Sequence, residues 1–217
     1  MNKPSRIFGI ALDFLFPKGN SEKEAEKVTA EALLERLVEN NKLNGSTYTL
    51  FSYKDKVVKN MIWALKYRKN RIVAKTLSNA LYDFLAEEFS NLTVYSNFKE
   101  PILIPIPISK KRLYKRGFNQ TELLAKEFCA VADKSFCTLR TDILKKTKDT
   151  PSQTSLHRSN RLKNITGAFR VKKAHTINGQ NIILLDDVTT TGATLSEARK
   201  VLLEAGAKKV IGVTVAH

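Results

Sequence analysis

Apolar and polar positions along this 217-residue chain change period several times, and each change marks an element. Residues 21–41 carry Val28, Ala32, Leu33 and Leu37 as one stripe. Glu22, Glu24 and Glu26 precede it, where they suit the positive end of a helix dipole, so the pattern predicts a helix. Asn44-Gly45 interrupts the chain. Residues 47–53 alternate and are rich in aromatic and β-branched types, which predicts a short strand. Val58, Ile62 and Leu65 give residues 57–67 a helical period, and Ile72, Leu77, Leu81 and Leu85 repeat it over 71–88. Trp63 and Tyr67 lie on the first of these helices, and core packing is the expectation for them over stacking on bases.

The remainder reads differently. Residues 102–106 form a short apolar run, a buried strand. Residues 119–132 carry Leu123, Leu124, Phe128 and Val131 on one side of a helix whose N-cap is Asn119. Residues 138–144 predict another strand and 168–171 a short one, with a polar, basic and aperiodic stretch over 145–163 between them. Asn178-Gly179 turns the chain into 182–185, a continuous apolar run suited to the middle of a parallel sheet. Leu195, Ala198, Leu202 and Ala205 line one helix face, Gly206 ends that helix, and 210–215 is a last strand. Strand, helix, strand in this order is a βαβ unit. The chain is therefore expected to hold an α/β domain with a parallel sheet over 96–217, preceded by a mostly helical accessory region over 1–95.

Composition narrows the class. Hydrophobic residues make up 42%, enough for a core, yet no apolar run could span a bilayer, so no membrane insertion is expected. Lys3 and Arg6 precede an apolar stretch, but Asp13 interrupts it without a small-residue cleavage site; a cytoplasmic protein is the expectation. Cys129 and Cys137 form no C-x-x-C pair and have no histidine at ligand spacing, so they read as structural thiols, and no zinc is expected. His157 and His175 lie in polar surroundings and read as surface groups. The net charge of +16 is uneven: residues 99–173 hold 18 Lys and Arg against 6 Asp and Glu. Such a field suits an anionic ligand, a polyphosphate or nucleic acid, unless it is a solvated surface.

The chemistry concentrates in one stretch. The apolar strand 182–185 ends in Asp186-Asp187, and Val188-Thr189-Thr190-Thr191-Gly192-Ala193-Thr194 leads into the next helix. Ligands of open α/β sheets bind at the carboxyl ends of strands. Backbone N–H groups of the loop and the helix start attract phosphate, Gly192 lets the backbone approach it, and the threonine hydroxyls add donors. The carboxylates can accept hydrogen bonds from a ribose diol. Such a site fits a ribose 5-phosphate. Neither a Walker A sequence nor a G-x-G-x-x-G occurs.

These thirteen residues resemble the phosphoribosyl pyrophosphate (PRPP) motif of type I phosphoribosyltransferases. Further stretches narrow the resemblance: Leu65-Lys66-Tyr67; Pro105-Ile106-Pro107 followed by Arg112 and Arg116-Gly117-Phe118-Asn119-Gln120; then Gln153, Leu156, Arg161, Asn164 and Gly167-Ala168-Phe169. Together they are similar to the ComF family of phosphoribosyltransferase-like proteins linked to bacterial DNA uptake, over residues 48–217. The usual N-terminal zinc ribbon is missing: residues 21–41 contain no cysteine, and a helix is expected in its place.

The resemblance implies a type I phosphoribosyltransferase-like parallel sheet flanked by helices. It implies PRPP as substrate, Mg²⁺ as cofactor and displacement of pyrophosphate from ribose C1. Asp186 and Asp187 would hold the ribose diol, directly or through hydrated Mg²⁺, and Thr189, Thr190, Thr191, Gly192, Ala193 and Thr194 the phosphate. Ser109, Lys110, Lys111 and Arg112 follow the first core strand and are pyrophosphate candidates, with solvated turn residues as the plainer reading of Lys110 and Lys111. Arg116 is a supporting or partner-binding candidate, and residues 145–163, including Arg161, match the place of the mobile hood. Two other readings stand beside the enzyme: a non-catalytic PRPP or nucleotide sensor, and a single-stranded-DNA-binding component working with other DNA-uptake proteins.

Overall fold

The structure, a computed structural model, describes residues 19–39, 41–43, 46–133, 135–149 and 165–217. The chain opens with helix α1 (Asn20–Lys27) and helix α2 (Ala30–Leu34). The single helix expected over 21–41 is thus broken. Val28 and Thr29 are extended, and the Thr29 hydroxyl caps α2 by accepting from the Ala32 N–H. A cap of this kind offers the backbone an alternative to continued helix.

Strand β1 (Lys42–Leu43) pairs antiparallel with β2 (Thr47–Phe51). Helix α3 (Lys56–Trp63) starts at Asp55, whose carboxylate accepts from the Val57 and Val58 N–H groups, and continues as a π-turn over Ala64–Arg68. Helix α4 (Arg71–Ser96) is capped by Asn70 and runs beyond the predicted end. Strand β3 (Ile102–Pro105), helix α5 (Lys110–Arg116) and helix α6 (Gln120–Val131) follow. The strand expected over 138–144 is two short ones in different sheets, β4 (Thr138–Leu139) and β5 (Leu144–Lys146). The divergence follows from partners: β4 extends the main sheet beside β3, while β5 pairs antiparallel with β6 (Phe169–Val171). Strand β7 (Asn181–Val188), helix α7 (Ala193–Glu204) and strand β8 (Lys209–Ala216) complete the βαβ unit.

The main sheet has the order β1-β2-β8-β7-β3-β4, and every pairing in it except β1 with β2 is parallel. Alternation along β7 sends its side chains to two apolar layers. Ile183 and Leu185 join Leu33, Met61, Leu65, Leu77 and Phe128 on one face. Ile182 and Leu184 join Leu195, Ala198, Leu202 and Phe169 on the other. Gly212 of β8 lies where a Cβ would come within 2.9 Å of the Thr47 hydroxyl and 3.3 Å of Leu195, so its missing side chain admits α7 against the sheet.

Strand β2 comes from the region read as accessory, yet it is hydrogen-bonded into the main sheet beside β8. One apolar cluster also runs from Ala25 through Phe98 to Ala216. Trp63 and Tyr67 correct the expectation made for them. They are 40% and 39% exposed and pack on each other at a tilt of 45° with ring centroids 5.5 Å apart, because the stripe Val58, Met61, Ile62 and Leu65 already fills the buried face of that helix. The Cys129 and Cys137 thiols lie 3.8 Å apart, both partly buried.

Candidate functional site

A cleft of about 730 Å³ opens at the carboxyl ends of β3 and β7. It is where a parallel sheet leaves its strand ends uncovered between connecting loops. Asp186 and Asp187 lie at its floor, in the last turn of pleat before β7 ends at Val188. Strand alternation turns them to opposite faces. Asp187, 4% exposed, meets the π-turn on the α3 side: the Lys66 ammonium is 3.1 Å from its Oδ2. Asp186 is half-buried, and its Oδ1 accepts from the Asp187 N–H at 2.9 Å.

The electrostatics follow from this layout. Burial raises the Asp186 carboxyl well above the ordinary carboxylate range, and the adjacent Asp187 charge raises it further; Lys66 offsets part of this. Burial works against the Lys66 charge, but the Asp187 carboxylate, with help from Asp186, outweighs it and holds the ammonium above the usual lysine value. Lys146, at the end of β5, is 9% exposed; burial and the Arg112 charge push its ammonium down, and Asp186 and Asp149 resist.

The threonine loop has a defined shape. The Thr189 N–H still donates to Ala216 of β8, and its hydroxyl accepts from the Gly192 N–H at 3.1 Å. The Thr191 hydroxyl accepts from the Ala193 N–H at 3.4 Å. Gly192 is left-handed, φ 74°, where α7 begins, a conformation that glycine adopts without strain. Thr189, Thr190 and Thr194 line the cleft, while Thr191, Gly192 and Ala193 form the backbone of the turn behind it.

The loop after β3 supplies the opposite wall. Ser109 is 3% exposed, caps α5, and donates to the Asp149 carboxylate at 2.5 Å. The Asn119 side chain donates to the Ile106 carbonyl at 3.1 Å and accepts from the Thr121 N–H, so the cap of α6 also pins this loop. Arg112 and Arg116 line the cleft; Arg116 donates to Gln120 at 3.0 Å and covers the Tyr67 ring at 5.2 Å. Lys110 and Lys111 are exposed and do not line it. Arg161 and most of the hood stretch lie outside the described residues.

Sequence reasoning assigned no role to Lys66, Tyr53, Gln120 or His217, all of which line the cleft, and Lys146, which lines it too, entered only as part of the hood stretch 145–163. Leu65-Lys66-Tyr67 was the available signal, but a lone lysine on a helix carries no sign that it will meet an aspartate 121 positions away. Among the described residues no cluster of three metal-ligating side chains occurs. The site therefore does not fit a Mg²⁺ held by protein ligands alone. It fits one shared between the carboxylates and ligand oxygens, the usual habit of this ion.

Residues 79–217 match the phosphoribosyl transferase domain. The chain belongs to that family. This phosphoribosyl transferase family member is similar to curated competence and DNA utilization proteins. It is 33% identical over 163 residues to competence protein ComFC of Bacillus subtilis, covering 75% of this chain and 59% of that one. It is 30% identical over 151 residues to competence protein F of Haemophilus influenzae, and 29% identical over 150 residues to the DNA utilization protein YhgH of Escherichia coli O157:H7. The last two matches each cover 69% of this chain and 63% of the relative, so the chain spans less than two thirds of the length of these relatives. Among solved structures, a hypoxanthine phosphoribosyl transferase of Trypanosoma cruzi aligns over 65% of this chain and 63% of its own, with 13% identity and a TM-score of 0.39. No helix among the described residues is long and apolar enough to cross a membrane.

Proposed function

We propose that the cleft binds PRPP and that the protein transfers its phosphoribosyl group to an acceptor, with release of pyrophosphate. The observation that carries this reading is the convergence on one cleft of a carboxylate pair, a threonine loop at a helix start, and the cations Lys66, Arg112, Arg116 and Lys146. Thr189, Thr190 and Thr194, with the N–H groups of the turn, hold the 5-phosphate. Asp186 and Asp187 accept from the ribose hydroxyls. The diphosphate lies toward Ser109 and Arg112, whose charge and N–H groups favour the departing anion.

In the transfer, the bond from ribose C1 to the diphosphate oxygen breaks and its electron pair leaves with pyrophosphate. A lone pair of a ring nitrogen or amine forms the new bond, and the acceptor's proton passes to solvent. Mg²⁺ bound with the ligand would neutralise diphosphate charge, and Asp186 and Asp187 are the residues to hold it. The names of the relatives, competence and DNA utilization proteins, support a setting in DNA uptake.

The test is calorimetric titration with PRPP and Mg²⁺, followed by a pyrophosphate-release assay over a panel of bases and amines. Saturable binding with release supports the enzyme, and binding without release on any acceptor supports a sensor. No binding by the wild type, or binding unchanged in the double variant Asp186→Asn with Asp187→Asn, overturns the reading. A second reading has its own observation: Trp63, Tyr67 and Tyr114, the last 68% exposed, are exposed rings, and Lys110, Lys111 and Lys115 on the Tyr114 helix are exposed cations. Exposed rings on a basic protein suit single-stranded DNA.

A further inference from the structure

The cleft is not built only from the residues that match the family. Lys66 lies outside residues 79–217, on the π-turn Ala64–Arg68, and reaches Asp187 from there. Its ammonium lies at ion-pair distance from Asp187 Oδ2, a buried oxygen that has no hydrogen-bond partner among the described residues. Lys66 is itself a lining residue of the cleft, and an ammonium has three N–H donors to offer there. A π-turn is rare and is frequently found at functional sites.

The turn is held at its far end by a second buried polar cluster. Arg68 is only 6% exposed at its side chain, and its Nε lies 3.5 Å from Oε2 of Glu22 in α1. Asn70, which caps α4, donates to Glu22 at 3.3 Å and to Glu26 at 2.6 Å. Glu22 is 4% exposed. A buried ion pair contributes little net stability for its desolvation cost, so it is weak as a device for stability and better suited to fixing a geometry. The geometry fixed here is that of the segment bearing Lys66. Helix α1 thus connects to the cleft through Glu22, Arg68, the π-turn and Lys66, ending on Asp187.

Resting on the PRPP reading of the cleft, we propose that Lys66 is a ligand-binding residue, bridging Asp187 to anionic oxygens of the phosphoribosyl diphosphate, and that α1 positions it through Glu22 and Arg68. Glu22 is a positioning residue and touches no ligand. Removing the ammonium would leave Asp187 without its counter-charge and the ligand without a cation, and both losses weaken binding.

The full chain is titrated with PRPP and Mg²⁺ by calorimetry as wild type, Lys66→Met, Lys66→Arg, Glu22→Gln and the double variant Lys66→Met with Glu22→Gln. Lys66→Met is expected to weaken binding about tenfold or more, the usual value of a hydrogen bond to a charged group. Lys66→Arg, which keeps a cation, should recover most of that. Glu22→Gln should weaken binding by a smaller factor in the wild-type background and by none beyond Lys66→Met in the double variant. A merely structural Glu22 would give independent losses, and that result overturns the role of α1. Should Glu22→Gln lower the melting temperature of the free protein, Glu22→Asp, which keeps the charge, replaces it in the same cycle. Equal or tighter binding by Lys66→Met would show that Lys66 only plugs the cleft, and overturns the inference while the PRPP reading stands. Failure of the wild type to bind overturns both.

Discussion

Replacing Asp186 by Asn should make the free protein more stable at neutral pH while costing it its ligand. The carboxyl of Asp186 is held well above its ordinary range, first by burial and then by the Asp187 charge. In the unfolded chain it titrates near about 3.9. Below that pH both states hold the proton and the group has no influence on folding. As pH rises from there, the unfolded chain releases a proton that the native state keeps, so the wild type loses stability through the window up to the folded pKa. Above the folded pKa the full cost of the buried charge is present. Asn removes that charge, and its side-chain oxygen can still accept from the Asp187 N–H, the hydrogen bond made by Asp186 Oδ1 at 2.9 Å. Relief of a site kept for function commonly yields about 0.5–2 kcal/mol. For a chain of this size that is a rise of about 1–8 °C in melting temperature. Thermal melts of both proteins between pH 3 and 8, with and without PRPP and Mg²⁺, measure it. The gain should be absent at the acid end and grow with pH, and the ligand-induced shift should shrink in the variant. A variant less stable than wild type at pH 7, or a difference that does not vary with pH, would refute this account of Asp186.

Gly192→Val forces a β-branched residue into φ 74° at the start of α7; it should cost about 1–3 kcal/mol in a melt and abolish the PRPP-induced shift. Phe51→Ala empties a fully buried position in β2 and should cost about 3–5 kcal/mol in urea unfolding, as expected if that strand belongs to the core. Lys110→Ala with Lys111→Ala should leave PRPP affinity unchanged by calorimetry, since both side chains are outside the cleft. The same pair should weaken single-stranded DNA in a filter-binding titration and lower the salt slope by about 0.7 for each phosphate that is no longer neutralised.

The doubly wound core was legible because its signals are local. Apolar runs at 102–106 and 210–215 match β3 and β8 to within a residue at each end, and the run at 182–185, with a helical period after it, locates β7, which continues through the acid pair to Val188. The acid pair and threonine loop are contiguous, so their place at a strand end followed from the same pattern. Other features depend on partners distant in sequence. Residues 138–144 have strand character throughout, but whether they form one strand or two is decided by β3 and β6, and no local property encodes that choice. Trp63 and Tyr67 carry the composition of core residues; their exposure follows from which stripe of the helix meets the sheet.

The local shape of the candidate site was already present in the order of the residues: a threonine turn at a helix start beside two carboxylates, written consecutively and shaped by backbone rules that act over a few positions. What completes the site came from the packing of distant elements. Lys66 meets Asp187 across 121 positions, and Glu22 reaches Arg68 from a separate helix. Neither pairing has a local signature, because a charge on a helix looks the same in sequence whether it points to water or to a buried partner. The seating of α1 and the π-turn against helices α3 and α4 is what turns these charges inward.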